Sequence, residues 1–394
     1  MIGLISFLAP LILGQAPAVP ATEVSLLFAG DAMQHKAQIQ SAKQGEAYDY
    51  SPCFADITHE IASADYAVVN LESPIGGQPY TGYPCFSAPD EFPIALQNAG
   101  FDLFLTANNH CLDRYTRGAI RTLHILDSIG TDHIGTYDSK DSFERFYPFI
   151  TSIKGIRIAF LNYTYGTNGF TPHSPLIVNY IDEEKIKKDI FRAKTLSADL
   201  IVVCLHWGDE YQLLPNKRQE DLADFLVKEG VQLIIGAHPH VIQPMELRYD
   251  EQGNPCALIV YSLGNFISNM KTRDTVGGAM VKVVIRRDIT GKILLQSAQH
   301  TLVYTRRPTI QKENFRVVPA IQELKEHPHR PHLKGFVEKA HEISSKYNEL
   351  SGFRCKEYGG GTCCSVSWTK GESDLFHTLM SFFFKFIIII GNIQ

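Results

Sequence analysis

Histidine and carboxylate side chains recur where short hydrophobic segments of this 394-residue chain end. Residues 231–235 are mostly aliphatic and lead directly into Gly236-Ala237-His238-Pro239-His240. Two imidazoles separated by one residue can bind the same metal ion, because neutral imidazole is the commonest nitrogen ligand of zinc and similar metals. A His-x-His pair is also short and common, and it equally describes two surface histidines that bind nothing. Metal binding is predicted because other strand ends carry ligands of the same kind.

Four further hydrophobic segments, each predicted to be a strand, deliver metal-binding or acid–base side chains at their ends. These are Asp31 after residues 24–29, Glu72 after 66–71, Asn109 and His110 after 101–107, and His206 after 200–205. Mixed carboxylate, amide and imidazole ligands suit a two-metal hydrolytic site, in which one carboxylate bridges the two ions. Each residue alone has an ordinary explanation, such as a helix N-cap for Asp31. Together they predict one convergent site.

The predicted elements alternate between strands and helices, which is typical of an α/β sandwich. Helical spacing is found at residues 54–63, 117–129 and 216–230, and further strands are predicted at 149–153, 156–163, 258–263, 278–285 and 293–301. Each strand that carries a candidate ligand ends at that ligand. The segment 76–93 is rich in Gly, Pro and aromatic residues, which predicts a loop over the site.

Composition limits the classes of function. Hydrophobic residues make up 44% and charged residues 20% of the chain, as in a soluble globular protein. A net charge of −5 and a pI near 6.3 argue against a general nucleic-acid binder. The eight cysteines include no Cys-x-x-Cys pair, so a cysteine zinc ribbon is not expected. Cys204 is predicted to be a buried thiol, whereas Cys53 and Cys85 could form a disulfide that spacing does not establish.

The simplest division of the chain is one large domain with appendages. We predict a signal segment at 1–21, the main domain at 22–305, a helical extension at 306–350 and an irregular tail at 351–394. Residues 2–13 are apolar and precede a small-residue Ala16-Pro17-Ala18 sequence, which predicts export to the periplasm or cell envelope, although no basic residue precedes Lys36. The alternative is a buried N-terminal segment in a cytoplasmic protein.

The tail contains an apolar run at 382–390 that is shorter than the roughly 20 residues of a membrane span. It could be a docking segment, a surface-binding tail or a C-terminus without function. Oligomeric state is not readable from the sequence.

At this point the chain resembles the CapA family, bacterial proteins of poly-γ-glutamate capsule synthesis related to the calcineurin-like metallophosphoesterases. The motifs that carry the resemblance are Gly30-Asp31-x-Met33, Asn70-Leu71-Glu72-x-Pro74, Asn108-Asn109-His110-x-x-Asp113, His206-Trp207-Gly208-x-Glu210-Tyr211, Gly236-Ala237-His238-Pro239-His240-Val241 and Ser262-Leu263-Gly264-Asn265-Phe266. They lie within residues 24–302. The resemblance implies a calcineurin-like metallophosphatase fold, with two β-sheets sandwiched between helices (α/β/β/α) and metals at the strand ends.

The resemblance also implies one or two divalent metal ions, with zinc, manganese and iron all acceptable. It assigns the roles motif by motif: Asp31, Glu72 and His240 to the first metal, Glu72 as the bridge, Asn109, His206 and His238 to the second metal, His110 as the acid that protonates the leaving group, and Glu210, Tyr211 and Asn265 to the substrate pocket. Trp207 is equally compatible with packing and with substrate contact.

One position departs from the pattern. The calcineurin-like first motif has a histidine two residues after its aspartate, where this chain has Met33. The first metal site therefore lacks one strong ligand. His35 could replace it, although a solvent-exposed loop histidine is the favoured interpretation.

Three functions follow from these features. The favoured one is a metal-dependent hydrolase or acyl transferase of the cell envelope, acting on an acidic amide-linked polymer or a phosphoester. The second is a non-catalytic capsule subunit that binds polymer or polymer synthase subunits at the membrane. The third is an intracellular phosphoesterase. His110 favours the first function, because a purely structural metal site needs no uncoordinated histidine beside it, whereas Met33 favours the second.

Overall fold

The computed structural model of the chain describes residues 21–310 and 313–345, together with the backbone of residues 363–367. The predicted signal segment, apart from residue 21, and most of the predicted tail lie outside the described residues. Within the described part of the chain, no helix is both long enough and apolar enough to cross a lipid bilayer.

Strands dominate the described chain. They are β1 (Thr22–Ala32), β2 (Lys43–Gln44), β3 (Ala47–Tyr48), β4 (Tyr66–Leu71), β5 (Leu103–Leu105), β6 (Asp132–Ile134), β7 (Thr136–Tyr137), β8 (Phe149–Ile153), β9 (Ile156–Thr164), β10 (Ile177–Val178), β11 (Leu200–His206), β12 (Leu233–Ala237), β13 (Met245–Tyr249), β14 (Pro255–Val260), β15 (Asn265–Ile267), β16 (Gly277–Arg287), β17 (Ile293–Arg306), β18 (Arg316–Pro319) and β19 (Cys363–Ser367). The α-helices are α1 (Lys36–Ala42), α2 (Thr58–Ala62), α3 (Glu91–Asn98), α4 (Tyr115–Ser128), α5 (Lys140–Phe146), α6 (Glu183–Thr195), α7 (Lys217–Lys228), α8 (Ala320–Glu326) and α9 (Pro331–Ile343).

Two large sheets organise these strands. The first has nine strands with the path β18-β17-β16-β1-β4-β5-β6, to which β15 and β19 add at β1 and β17. The second has six strands in the order β13-β14-β12-β11-β9-β8. In the first sheet β1, β4, β5 and β6 run parallel, and in the second β9, β11, β12 and β14 do. The carboxyl ends of parallel strands meet at one edge of a sheet, which is where open α/β sheets bind ligands.

The two sheets pack face to face around the main hydrophobic core. Alternate residues of β1, such as Leu26 and Phe28, point into this core, where they share one cluster with Phe160 and Val202 of the second sheet. Leu27, between them, faces the helices on the outer side of the first sheet. This alternation is the period of two that a strand imposes.

Helices cover the outer face of each sheet. Phe92 and Leu96 of α3 pack on the first sheet, while Ile190 of α6 and Leu222 of α7 pack on the second. The predicted fold class, two β-sheets sandwiched between helices, is therefore confirmed.

Several predicted elements agree closely with the structure. The hairpin predicted at 149–153 and 156–163 is β8 and β9, with Ile153 opposite Ile156. The helix predicted at 216–230 is α7, and the Asn216 side chain caps it by accepting from the Gln219 N–H. The closing antiparallel pair predicted at 278–285 and 293–301 is β16 and β17, each somewhat longer than predicted.

Other predictions need correction. The helix predicted at 54–63 is only α2, because a 3₁₀ turn and further turns occupy the residues before Thr58. The strand predicted at 101–107 is reduced to the three residues of β5. Residues 265–267, predicted to follow a strand end, form the short strand β15 beside β1.

The structure distinguishes between a disulfide and free thiols at Cys53 and Cys85. Cys53 and Cys85 are both free thiols, so the disulfide considered between them is not formed. Cys204 is a fully buried free thiol in β11, as predicted. Burial raises the pKa of the Cys204 thiol, which keeps it protonated and inert.

A buried histidine in β17 should make the fold acid-sensitive. His300 is 2% exposed, its Nδ1 has no hydrogen-bond partner, and burial, with a smaller effect of His341, lowers its pKa to about 4. In the unfolded chain a histidine takes up its proton near pH 6.5, so stability is intact above that pH and is lost as the pH falls from 6.5 to 4. At about 1.36 kcal/mol per pKa unit this amounts to about 3 kcal/mol.

We therefore expect the H300L variant to lose about 3 kcal/mol less free energy of unfolding than the wild type between pH 7 and pH 4. Urea denaturation at each pH measures the difference. The matched control is H329L, at an exposed histidine of the same C-terminal region, which should keep the wild-type pH dependence. If the free energy of unfolding changed equally in H300L and wild type between pH 7 and pH 4, His300 would not be the source of the acid sensitivity.

Candidate metal centre

The candidate site lies where the carboxyl ends of both sheets meet. From the first sheet, Asp31 belongs to the end of β1, Glu72 follows β4 directly, and Asn109 lies four residues beyond β5. From the second sheet, His206 is the last residue of β11 and His238 follows β12 directly. Neither sheet alone contains the full set.

Two glycines allow the backbone to come close behind these ligands. A Cβ atom on Gly30 would lie 1.9 Å from the Gly264 carbonyl oxygen, to which the Asp31 N–H donates over 3.0 Å. A Cβ atom on Gly236 would lie 2.0 Å from the Tyr261 carbonyl oxygen. Only glycine fits at these two positions, so the glycines of both motifs are packing requirements of the strands that present the ligands.

Glu72 occupies the centre of the site. Its side chain is 0% exposed, and neither carboxylate oxygen has a hydrogen-bond partner. The nearest cationic or imidazole atoms are Nε2 of His206, 3.5 Å from Oε1, and Nε2 of His240, 3.8 Å from the same oxygen. Burial, followed by the charge of Asp31, raises the pKa of Glu72 well above its usual value.

The possible metal-binding groups around Glu72 form two overlapping sets. Glu72, His238 and His240 make one, and Asp31, Glu72 and His206 make the other, with the ligand atoms of each set within 4.8 Å of one another. Glu72 belongs to both sets, which is the position expected of a bridging carboxylate. Asn109 Oδ1 lies 2.9 Å from His206 Nε2. The two sets differ from the predicted division between the metals, because His206 groups with Asp31 and His238 groups with His240. All six residues predicted as ligands are thus brought together, and their role as ligands stays a prediction.

Asp31 also orients its neighbours. Its Oδ1 accepts from Asn70 Nδ2 over 2.7 Å, and its Oδ2 accepts from His240 Nδ1 and from the His238 N–H over 3.1 Å and 3.3 Å. Burial alone would raise the pKa of Asp31, but these bonds, that of His240 first, hold it below its usual value. The contacts point Nε2 of His240 at Glu72.

Asn70 and Asn265 support the site from behind. Asn70 Nδ2 lies 3.3 Å from His206 Nδ1, so this amide connects Asp31 with His206. Asn265 was predicted to line the substrate pocket, but it is 0% exposed and lies behind His240. Its Oδ1 contacts His240 Nδ1 over 3.1 Å and its Nδ2 donates to the Thr275 carbonyl oxygen. Because its amide is fully used, Asn265 positions His240 instead of contacting substrate.

Two of the site histidines, His206 and His238, are held neutral by burial. Burial, then the neighbouring His238, lowers the pKa of His206 well below its usual value, and burial and His240 lower the pKa of His238 to about 3. A neutral imidazole offers a lone pair to a metal ion. His238 also has φ of +100°, a strained conformation for a non-glycine residue, of a kind that costs about 1–3 kcal/mol and clusters at functional sites.

His110 lies beside the ligand sets without belonging to either. Its Nδ1 donates to Asp113 Oδ2 over 2.7 Å, in a pair whose side chains are nearly inaccessible to solvent. The same carboxylate oxygen accepts from the Phe86 N–H, and the Phe86 ring packs edge-on against His110 with centroids 4.7 Å apart. The Asp113 contact holds the ring and leaves Nε2 as the atom available for proton transfer.

The predicted loop at 76–93 therefore does contact the site, through Phe86. Its last residues differ from the prediction, because Glu91 already begins α3.

Tyrosines line the mouth of the site. The Tyr165 ring lies 4.5 Å from the His238 ring, centroid to centroid, and the Tyr211 ring lies 6.1 Å from that of His240. Tyr165 is 48% and Tyr211 53% exposed, and Glu210 beside them is also exposed. Burial and Glu210 raise the pKa of Tyr211 and keep its hydroxyl protonated. The predicted pocket residues Glu210 and Tyr211 thus lie at the entrance, and Tyr165 joins them unpredicted.

Trp207, by contrast, is 2% exposed and donates its indole N–H to the Tyr261 carbonyl oxygen. Its role is packing.

The histidine missing at position 33 is not replaced by a ligand. Met33 is buried, and His35 belongs to neither metal-binding set. His35 was expected to be solvent-exposed, but it is only partly exposed. It accepts from the Asn269 N–H at Nδ1 over 3.2 Å and packs edge-on against Phe86. Burial lowers its pKa to about 4. The metal site that lacks a histidine at position 33 therefore has Asp31, Glu72 and the histidines of the second sheet as its candidate ligands.

The residues present fit a divalent cation. An ionised carboxylate buried without hydrogen bonds is costly, and such groups are found paired with cations or coordinating metals. Glu72 has two such oxygens, and His238 Nδ1 is also buried without a partner. Glu72 and His238 belong to the same ligand set, so a cation bound there would give both residues a partner.

A third acidic group, Glu323, Glu326 and His327 at the end of α8, does not share this property. Glu323 already accepts from Arg306 and Arg330, so it is neutralised within the protein.

Fold and site together define the class of protein: an α/β sandwich with a candidate metal centre whose ligands come from both sheets. Within that class, this chain belongs to the CapA family of capsule synthesis proteins, because the family model described as "Bacterial capsule synthesis protein PGA_cap" matches residues 25–270, more than half of the chain. The predicted family is confirmed.

Two curated relatives share this assignment. The "Capsule biosynthesis protein CapA" of Bacillus anthracis is 30% identical over 249 residues, which cover 59% of this chain and 57% of that protein. The "PGA biosynthesis protein CapA" of Bacillus subtilis strain 168 is 28% identical over 289 residues, covering 68% of this chain and 70% of that protein. The chain thus spans little more than half the length of the Bacillus anthracis relative.

Similar solved structures include the NAD nucleotidase NadN of Haemophilus influenzae, with a TM-score of 0.47, 11% identity and coverage of 86% of this chain and 70% of that chain. The calcineurin-like phosphoesterase YfkN of Bacillus subtilis gives a TM-score of 0.43, 12% identity and coverage of 84% and 100%. At these TM-scores the likeness assigns no residue a role.

Proposed function

We propose that this protein is a metal-dependent hydrolase that cuts an acidic, amide-linked capsule polymer, with a phosphoester as the other bond its site suits. The observation that carries the proposal is the His110–Asp113 pair, an imidazole held by a carboxylate beside the candidate ligands but outside both sets. A centre that only stabilises loops needs no such residue. A positioned acid beside a cation site is the arrangement that hydrolysis requires.

The chemistry divides between the metal and the protein. A bound divalent ion supplies Lewis acidity and lowers the pKa of water. Glu72 and the histidines of both sheets would hold it, and Asp31 orients His240 for that purpose. His110 donates a proton from Nε2 to the leaving nitrogen or oxygen, while Asp113 stabilises the charged imidazolium. Tyr165 and Tyr211 shape the entrance beside His238 and His240.

The polymer we propose is poly-γ-glutamate, because the Bacillus subtilis relative carries the name PGA biosynthesis protein. Zinc, manganese and iron are the candidate metals, since each accepts carboxylate, amide and imidazole ligands. A protein that acts on an envelope polymer must be exported, so export is part of the proposal. Polymer synthase subunits are the partners that we propose. N-terminal sequencing of the protein recovered from the cell envelope tests the export.

The deciding experiment measures metal content and hydrolysis on the full chain, in wild type and H238A. Samples reconstituted with zinc or manganese are offered γ-linked glutamate polymer and an aryl phosphodiester. We expect the wild type to bind metal and cut the polymer, and H238A to lose both, since His238 contributes an otherwise unpartnered nitrogen. H124A, at an exposed histidine of α4 paired with Asp138, is the matched control and should behave as wild type.

Two results would overturn the proposal. A wild-type protein that binds metal but cuts neither substrate would identify a non-catalytic polymer-binding or synthase-associated subunit. A wild-type protein that binds no metal would remove the metal centre itself. If the protein hydrolysed only the phosphodiester, its substrate would be a phosphoester and not the amide-linked polymer.

A further inference from the structure

Arg307, immediately after β17, is a half-buried cation without an acidic partner. Its Nε donates to Asn269 Oδ1 over 2.9 Å, and one terminal nitrogen donates to the Met270 carbonyl oxygen. Both acceptors are neutral. Among the described residues, no carboxylate forms a salt bridge with Arg307, and its other terminal nitrogen has no protein partner.

The neighbouring arginines are neutralised within the protein. Arg273 pairs with Asp274, and Arg306, adjacent to Arg307 in the chain, pairs with Glu323. Arginine stays protonated at any physiological pH and is rarely buried without an anion. Burial lowers the pKa of Arg307, which reflects a charge removed from water without compensation. The free edge of its guanidinium is therefore suited to an anion that the protein itself does not supply.

The segment that Arg307 holds is connected to the metal centre. The Asn269 N–H donates to Nδ1 of His35, and Met270 Sδ lies 3.3 Å from Asn265 Nδ2. Asn265 in turn contacts His240. One residue, Met270, therefore separates Arg307 from Asn265, which supports His240.

The same segment connects Arg307 with the other side of the site. The His35 ring packs on Phe86, and Phe86 packs on His110. Arg307 also acts on the titration of His35 through its charge. A substrate group bound at Arg307 would therefore lie on the side of the His35–Phe86–His110 ring contacts where His35 is found.

Two exposed lysines are sequence neighbours of residues in these contacts. Lys36 follows His35 directly, and Lys271 follows Met270 directly. Within the described part of the chain, neither lysine forms a salt bridge with a carboxylate. Arg307 contacts Asn269, while Lys36 and Lys271 are sequence neighbours of His35 and Met270. The protein as a whole has a net charge of −5.

We propose that Arg307 forms an anion subsite that binds an acidic group of the substrate chain away from the bond that is cut. The inference rests on the proposed function and names the substrate class as a polyanion. The carboxylates of poly-γ-glutamate fit, since a guanidinium binds planar carboxylates well. Phosphate oxygens offer the same chemistry. Arg307 lies beyond the residues 25–270 that the family model matches, so the inference comes from this chain's own contacts.

The test compares R307Q and R307K with wild type on the full, metal-loaded protein. Loss of a charge-assisted hydrogen bond to an anion predicts an increase of about tenfold in KM for γ-linked glutamate polymer, with kcat within about twofold of wild type. KM for a small aryl phosphodiester, which carries no second anionic group, should not change. R307K should show a smaller increase in KM than R307Q, because lysine keeps the positive charge but lacks the planar guanidinium that binds a carboxylate through two nitrogens.

The matched control is R157Q. Arg157 also donates only to carbonyl oxygens, those of Leu196 and Ser197, but it lies near the amino end of β9, opposite to the end that carries the ligands. Its kinetics should equal those of the wild type. Added salt should raise the wild-type KM for polymer more steeply than that of R307Q, since screening weakens the contact that the variant lacks.

Equal losses on polymer and phosphodiester would overturn the subsite and make Arg307 a support of the Asn269–Met270 segment. An unchanged KM for polymer in R307Q would also overturn it. Direct binding of fluorescent poly-γ-glutamate to metal-loaded protein keeps this test separate from the proposed hydrolysis: binding weakened by R307Q in a protein without turnover retains the subsite and rejects catalysis. If polyphosphate competes better than poly-γ-glutamate, the carboxylate assignment is overturned in favour of a phosphate chain.

Discussion

The E72Q variant is expected to lose metal binding and, once metal-free, to melt at a higher temperature than the metal-free wild type. Glu72 is fully buried with two unpartnered oxygens and belongs to both ligand sets. Replacing its carboxylate by a neutral amide removes the shared ligand of both sets. It also removes a carboxyl group whose burial without a cation is costly enough to raise its pKa well above the usual value. One substitution thus separates function from stability.

The measurement is metal content by mass spectrometry together with calorimetric melting in excess metal and in chelator. For the wild type, metal at a thousandfold excess over its Kd should stabilise the fold by about 4.1 kcal/mol. For E72Q the two melting temperatures should coincide. The matched control is E323Q, a buried glutamate that is paired with Arg306 and Arg330. E323Q should lose stability while it keeps the wild-type metal response. A wild-type metal content in E72Q would contradict the central position assigned to Glu72.

Replacing His110 by alanine is expected to lower kcat by about 10²–10⁴, the usual contribution of a positioned general acid, while metal content stays at the wild-type value. The loss should depend on the leaving group. An amine or alkoxide needs a proton to depart, so amide-linked polymer should show the full loss. A nitrophenolate departs without one, so an activated aryl ester should show a much smaller loss.

The D113N variant is a finer probe of the same pair. The asparagine oxygen can still accept from His110 Nδ1 and from the Phe86 N–H, but it lacks the negative charge that stabilises the imidazolium. Its kcat should lie between those of wild type and H110A. The control is H124A, on the surface of α4. Loss of metal in H110A, or equal losses on amide and activated aryl substrates, would show that His110 is not the acid.

The positions of four candidate ligands could be predicted because each one lies at the end of a hydrophobic strand. A strand buried on both faces shows a continuous apolar run, and the first polar residue after it lies at the carboxyl edge of the sheet. Asp31, Glu72, His206 and His238 all follow this rule. The glycines before Asp31 and before Ala237 strengthened the signal, since close backbone approach requires them.

The supporting residues could not be predicted in the same way. That Asn265 holds His240, and that Arg307 holds Asn269, depends on side chains that meet across the fold, which no local pattern encodes. Asn70 did carry a signal: it lies two residues before Glu72, and residues at that spacing face the same side of a strand. Its contacts with Asp31 and His206 follow from that position.

Some elements were missed although their pattern was readable. Ile186, Ile190 and Ala193 have helical spacing and form the buried face of α6. They lie in a highly charged segment, and the charge obscured a narrow apolar stripe. The very short strands, such as β7 and β10, have no periodicity to detect and exist only through pairing with each other.

The division of the ligands between the two sheets gives the centre a mechanical role as well as a chemical one. Any ion bound by Glu72 and His238 crosslinks the two halves of the sandwich, since one ligand follows β4 and the other follows β12. Its affinity would then include the free energy of docking one sheet on the other, through a core that contains both Phe28 and Phe160. The affinity for such an ion would therefore be coupled to the packing of hydrophobic residues that do not touch it.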